Sequence, residues 1–71
     1  MQDAHDFAEA IEIFKLNIEL YPEWWEGYDS LGEAYMKNGD KELAIENYEK
    51  SVELNPKNQW GIDIIKMLKK Q

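Results

Sequence analysis

The chain repeats itself at an offset of 34 residues. Ala10-Ile11-Glu12 aligns with Ala44-Ile45-Glu46, Phe14 with Tyr48, Ile18-Glu19-Leu20 with Val52-Glu53-Leu54, and Pro22 with Pro56. Self-similarity at such a period selects stacked supersecondary units, each touching its neighbours, over a single unrepeated core. Apolar residues recur at helical spacing in every segment, and no segment alternates with period two over strand length. The expected class is therefore all-α, with four helices.

The first helix should begin near Asp6, where Asp6 and Glu9 have capping-box spacing. Phe7, Ala10, Ile11, Phe14, Ile18 and Tyr21 form its stripe, while Ile13, Leu16 and Leu20 are apolar on another side. A helix apolar on more than one side expects more than one neighbour. Pro22 ends it by disfavouring helical geometry in the residue before it. The second helix is expected from about Glu23 to Lys37, with Trp25, Tyr28, Leu31, Gly32 and Tyr35 inward. Gly32 costs up to ~1 kcal/mol mid-helix, so it should mark a close helix–helix approach. Asn38-Gly39-Asp40 reads as a turn, with Gly39 left-handed and Asp40 capping a third helix that runs to Leu54. Its stripe is Ala44, Ile45, Tyr48 and Val52, with Ser51 beside them. Asn58 should cap a fourth helix over residues 59–70.

Residues 25–58 resemble the tetratricopeptide repeat, a 34-residue helix-turn-helix unit. Leu31, Gly32 and Tyr35 fall at its L-G-x-x-Y positions, Gly39 at the turn, and Ala44, Tyr48 and Pro56 at the small, aromatic and closing positions. Ser51 departs from the usual alanine. Residues 4–24 match a second helix without its first, and residues 59–71 a first helix without its second. In the latter, Lys66 and Lys69 replace the glycine and the tyrosine. The chain is thus one domain, residues 1–71, with helices in the order B-A-B-A: a half repeat, a complete repeat, and a half repeat or capping helix. The wording of residues 28–51 is also similar to repeats at the C-terminus of some bacterial β-lactamase-like serine hydrolases. That resemblance implies an appendage of a larger enzyme, exported if that enzyme is secreted; otherwise a soluble, cytoplasmic protein is the default reading.

Composition narrows the function. The net charge is −7 and there is no arginine, which argues against direct nucleic-acid binding. Residues 1–35 hold nine acids against Lys15, whereas residues 36–71 hold six acids against seven lysines. No apolar run has the length of a membrane span, about 20 residues. With no cysteine and one histidine, neither a disulfide nor a Cys/His zinc site is expected. His5 with Asp3, Asp6 and Glu9 sits at a helix start, where capping and the helix dipole account for the acids. Asp29 and Glu33 form an i, i+4 carboxylate pair whose simpler reading is an exposed helix face. No catalytic set, cofactor or metal is expected.

Two candidate surfaces remain. Unfinished repeats cannot bury their faces alone. The fourth helix carries Trp60, Ile64 and Met67 at i, i+4, i+7, and these are expected to meet Phe7, Ile11 and Phe14 of another copy. The opposed charges of head and tail agree with that pairing. The alternative is a monomer in which the tail helix is only a cap. In the family resembled, the first helix of each repeat lines the concave face. By position this implies Glu26, Asp29, Glu33, Met36 and Lys37, then Trp60, Asp63, Met67 and Lys70. Family members that grip carboxylate tails use Lys, Arg and Asn there. The acids here suit a basic or amphipathic peptide instead.

Overall fold

The computed structural model describes residues 7–71. It contains α1 (Phe7–Leu20), α2 (Trp25–Lys37), α3 (Lys41–Leu54) and α4 (Gln59–Lys69), and no strand among the described residues. Each helix packs chiefly on its sequence neighbours, giving a slab of 37 × 32 × 15 Å. The expected Asp6 cap and the His5 position lie outside the described residues.

The breaks follow from local chemistry. Gly39 has φ 89°, a left-handed conformation. There the Asp40 N–H donates to the Tyr35 carbonyl at 2.9 Å, and the Gly39 N–H to Met36 at 3.1 Å, which is the Schellman closure of α2. Asp40 does not cap α3 with its side chain, contrary to expectation. Its Oδ2 instead accepts from Asn38 Nδ2 at 2.8 Å. Asn58 does cap α4, its Oδ1 accepting from the Gly61 N–H at 3.1 Å. Helix α2 starts at Trp25 rather than Glu23, because Pro22 and Glu23 occupy a turn closed by the Trp24 N–H on Tyr21.

Two glycines set how the units stack. An added Cβ at Gly27 would lie 3.4 Å from Ile18 Cγ1 and 2.9 Å from the Trp24 ring. At Gly61 it would lie 3.0 Å from Val52 Cγ2 and 2.7 Å from Asn58 Nδ2. Gly27 and Gly61, Ile18 and Val52, and Trp24 and Asn58 are each 34 residues apart. The α1–α2 and α3–α4 joints are therefore the same joint built twice. Their 34-residue spacing is the sequence signal for this joint.

One cluster holds Ile11, Leu31 and Ala34 with Phe14 and Ile18 against them. The other holds Ala44, Tyr48, Ile64 and Leu68 with Met36, Ile45 and Ile65. Tyr35 packs on both. Two members of the expected contact surface are thereby corrected: Ile11 and Ile64 are buried within the chain and present nothing to a partner. The side of α4 carrying Gly61, Ile64 and Leu68 faces α3, since the glycine marks the line of closest approach.

Candidate interaction site

The α1 end is open. Ile13, Leu16 and Leu20 lie on one stripe of α1, facing away from the Ile11–Phe14–Ile18 side that meets α2. They are 55%, 57% and 64% exposed. Their partners at the 34-residue offset are Asn47, Lys50 and Leu54, so α3 is polar at two positions where α1 is apolar. Beside the stripe, Phe7, Ala10 and Phe14 of α1 and Ser30, Glu33, Ala34 and Lys37 of α2 line a groove of about 210 Å³. Lys37 and Glu33 pair across its rim at 3.2 Å. Phe7 and Phe14, which sequence reading gave to a contact with another copy, line this groove together with Ala10, whereas Ile11 is buried.

The α4 end is different. Lys66, Lys69 and Lys70 stand at the offset positions of Gly32, Tyr35 and Met36, the residues with which α2 meets α3. All three are exposed, and Lys69 Nζ reaches Glu49 at 3.0 Å. Trp60 and Met67 are exposed, whereas Ile64 of the same expected stripe is buried.

The expected concave face divides. Glu26, Asp29 and Trp60 share a cleft of about 250 Å³ with Trp25, Ser30 and Asn58. Glu33 and Lys37 belong to the α1–α2 groove instead. Met36 packs on the core, Asp63 accepts from Gln59 Nε2 at 3.0 Å, and Lys70 closes the end of α4. Asn58 organises the cleft. Its Nδ2 donates to Asp29 Oδ2 at 2.9 Å and to Ser51 Oγ at 3.0 Å, while its Oδ1 caps α4. Ser51, read only as a departure from alanine, is the buried end of this network. Asn58→Ala removes all three bonds and leaves a buried hydroxyl unpaired. We expect a loss of about 2 kcal/mol in denaturant unfolding.

Burial lifts the Asp29 carboxyl above its ordinary value; the Asn58 hydrogen bond opposes this, and the charges of Glu33 and Glu26 add to it. Tyr48 is 0% exposed, and its hydroxyl makes no hydrogen bond. Its pKa is pushed up to about 12, chiefly by burial, with Asp29 and Glu33 adding and the nearby Trp60 indole opposing. Because the unfolded chain releases this proton near pH 10, its contribution to stability falls as pH rises from about 10 to 12. Tyr48→Phe removes the unpaired hydroxyl without opening a cavity. It should raise stability by about 1 kcal/mol and flatten the alkaline limb of a melting-temperature profile.

Helical hairpins stacked by a repeated joint define a helical-repeat protein. Residues 30–58 match the family model of the tetratricopeptide repeat, so the complete hairpin is a tetratricopeptide repeat. Over 55 residues the chain is 36% identical to the Hsp70-Hsp90 organizing protein of Triticum aestivum, covering 78% of the chain and 10% of that protein. It is 34% identical over 53 residues to heat shock protein STI1 of Saccharomyces cerevisiae, covering 75% and 9%. It is 39% identical over 59 residues to the photosystem I assembly protein Ycf3 of a Synechococcus strain, covering 79% and 34%. The chain thus spans between about a tenth and a third of these relatives. The resemblance to repeats appended to serine hydrolases finds no support in these comparisons.

Proposed function

We propose that the chain is a non-catalytic protein–protein interaction module that associates with copies of itself through the open α1 end. The observation that carries this is the exposed Ile13–Leu16–Leu20 stripe beside the Phe7–Ala10–Phe14 groove. Covering the exposed part of each aliphatic side chain contributes about 1 kcal/mol. The names of the relatives, an organising protein and an assembly protein, agree with an interaction role.

The complementary element is α4 of the next copy. Its lysines would approach Glu9, Glu12 and Glu19 of α1, so salt should weaken the encounter. The pairing is looser than that of α2 with α3. Gly32 admits the Tyr48 ring at 2.9 Å from an added Cβ, whereas Lys66 at the offset position carries a real one. Sedimentation velocity tests the reading. The mass should rise above 8.4 kDa with concentration, and Leu16→Glu should return it to the monomer. A single 8.4 kDa species up to high micromolar concentration would contradict it.

A further inference from the structure

The two repeated joints part at the residue that precedes each outer helix start. Asn58, ahead of α4, caps that helix and donates through Nδ2 to Asp29 Oδ2 of α2 at 2.9 Å. Its counterpart ahead of α2 is Trp24, which gives no side-chain cap and is 41% exposed. A residue that does not cap forgoes about 1 kcal/mol at this position. The two side chains are nonetheless laid out alike. An added Cβ at Gly61 meets Asn58 Nδ2 at 2.7 Å, and one at Gly27 meets Trp24 Cε3 at 2.9 Å. Trp24 thus lies over its glycine as Asn58 does, and it too carries an N–H donor. The acceptor is repeated as well, since Asp63 follows Asp29 by 34 residues. Asp63 is exposed; its Oδ1 accepts from Gln59, and no described residue bonds its Oδ2. The Trp24 indole N–H donates to Glu26 Oε1 at 3.0 Å, an exposed bond two residues along the chain.

We propose that, where α4 of one copy lies on α1 of another, the Trp24 indole N–H donates to the partner's Asp63, as Asn58 donates to Asp29 within the chain. The template is internal. Helix α3, followed by Asn58, packs on α2, which carries Asp29. Helix α1, followed by Trp24, would pack in the same antiparallel order on a helix that carries Asp63. That order seats the start of the partner's α4 beside the turn at residues 21–24, away from Phe7. Glu26 shares a cleft with Asn58, and its counterpart is Trp60, so Trp24 also meets the partner's Trp60. An indole pair then lies beside a hydrogen bond onto a charged acceptor. The proposal rests on the self-association reading, and it names residues outside the Ile13–Leu16–Leu20 stripe.

The test is sedimentation velocity on Trp24→Phe, which removes the donor and keeps an aromatic ring, and on Asp63→Ala, which removes the acceptor. Each should weaken self-association about tenfold, and the double variant little further than either alone. Trp24 and Asp63 serve opposite ends of the copy, so an equimolar mixture of the single variants restores one intact pair. Trp24 of the Asp63→Ala copy then faces Asp63 of the Trp24→Phe copy. The mixture should form a dimer of parent affinity, which general damage to either variant does not produce. In the parent chain, the Trp24 indole N–H resonance should move with concentration. Parent-strength association of either variant, a mixture no tighter than its components, or a fixed Trp24 resonance in an associating chain would overturn the pair and leave the α1 stripe in place. A parent chain that stays monomeric refutes the association, and the pair with it.

Discussion

Tyr48→Ala is expected to lower the unfolding free energy by about 4 kcal/mol, enough to leave much of the chain unfolded at moderate temperature. A chain of 71 residues has a total stability of roughly 4–10 kcal/mol, so this single change removes a large share. The reason is position. Tyr48 is fully buried and packs with Ala44 beneath Ile64 and Leu68 of α4, and its ring lies against Gly32 of α2. One side chain therefore joins three of the four helices. Truncation removes its apolar burial and leaves a cavity whose walls belong to separate helices. Urea unfolding followed by helical circular dichroism measures the loss. A change below about 1 kcal/mol would mean that the core does not depend on this ring.

Gly32→Leu should cost about 3 kcal/mol, although leucine is the better helix former. An added Cβ would meet Tyr48 Cδ2 at 2.9 Å, Cε2 at 3.0 Å and Cγ at 3.1 Å. The ring cannot retreat, because its other side packs against α4. Local propensity and tertiary packing therefore oppose each other, and packing is the larger effect. The informative comparison is Gly39→Ala. Nothing lies within 4 Å of a Cβ there, so any cost at Gly39 comes from its left-handed backbone alone. Thermal melts of the two variants side by side check the ordering, with Gly32→Leu the lower.

The helices and their order were legible in the sequence because the 34-residue period and the helical spacing agree at many positions. The close approach at Gly32 was legible for the same reason. Which face of α4 turns inward was not. Ile64 aligns with Ser30 and Leu68 with Ala34, so the complete repeat offers small residues where α4 carries large core residues. Periodicity put Trp60, Ile64 and Met67 on one stripe of α4 and gave that stripe to a partner, whereas Ile64 turns inward. The choice follows from Gly61, whose close approach to Val52 sets the rotation of the helix. The cleft was half legible. Glu26, Asp29 and Trp60 were placed on the concave face by position. Asn58, which joins Asp29 to Ser51, acts through tertiary contacts 29 and 7 residues away in the chain, and spacing within one helix does not report those.

The open α1 end as a contact surface is tested most directly by methyl NMR across a dilution series. The Ile13, Leu16 and Leu20 methyl resonances should move together with concentration, while the Ile11 methyls, buried against Leu31 and Ala34, stay fixed. Methyl positions that do not change with concentration, or changes confined to buried residues, would contradict the account.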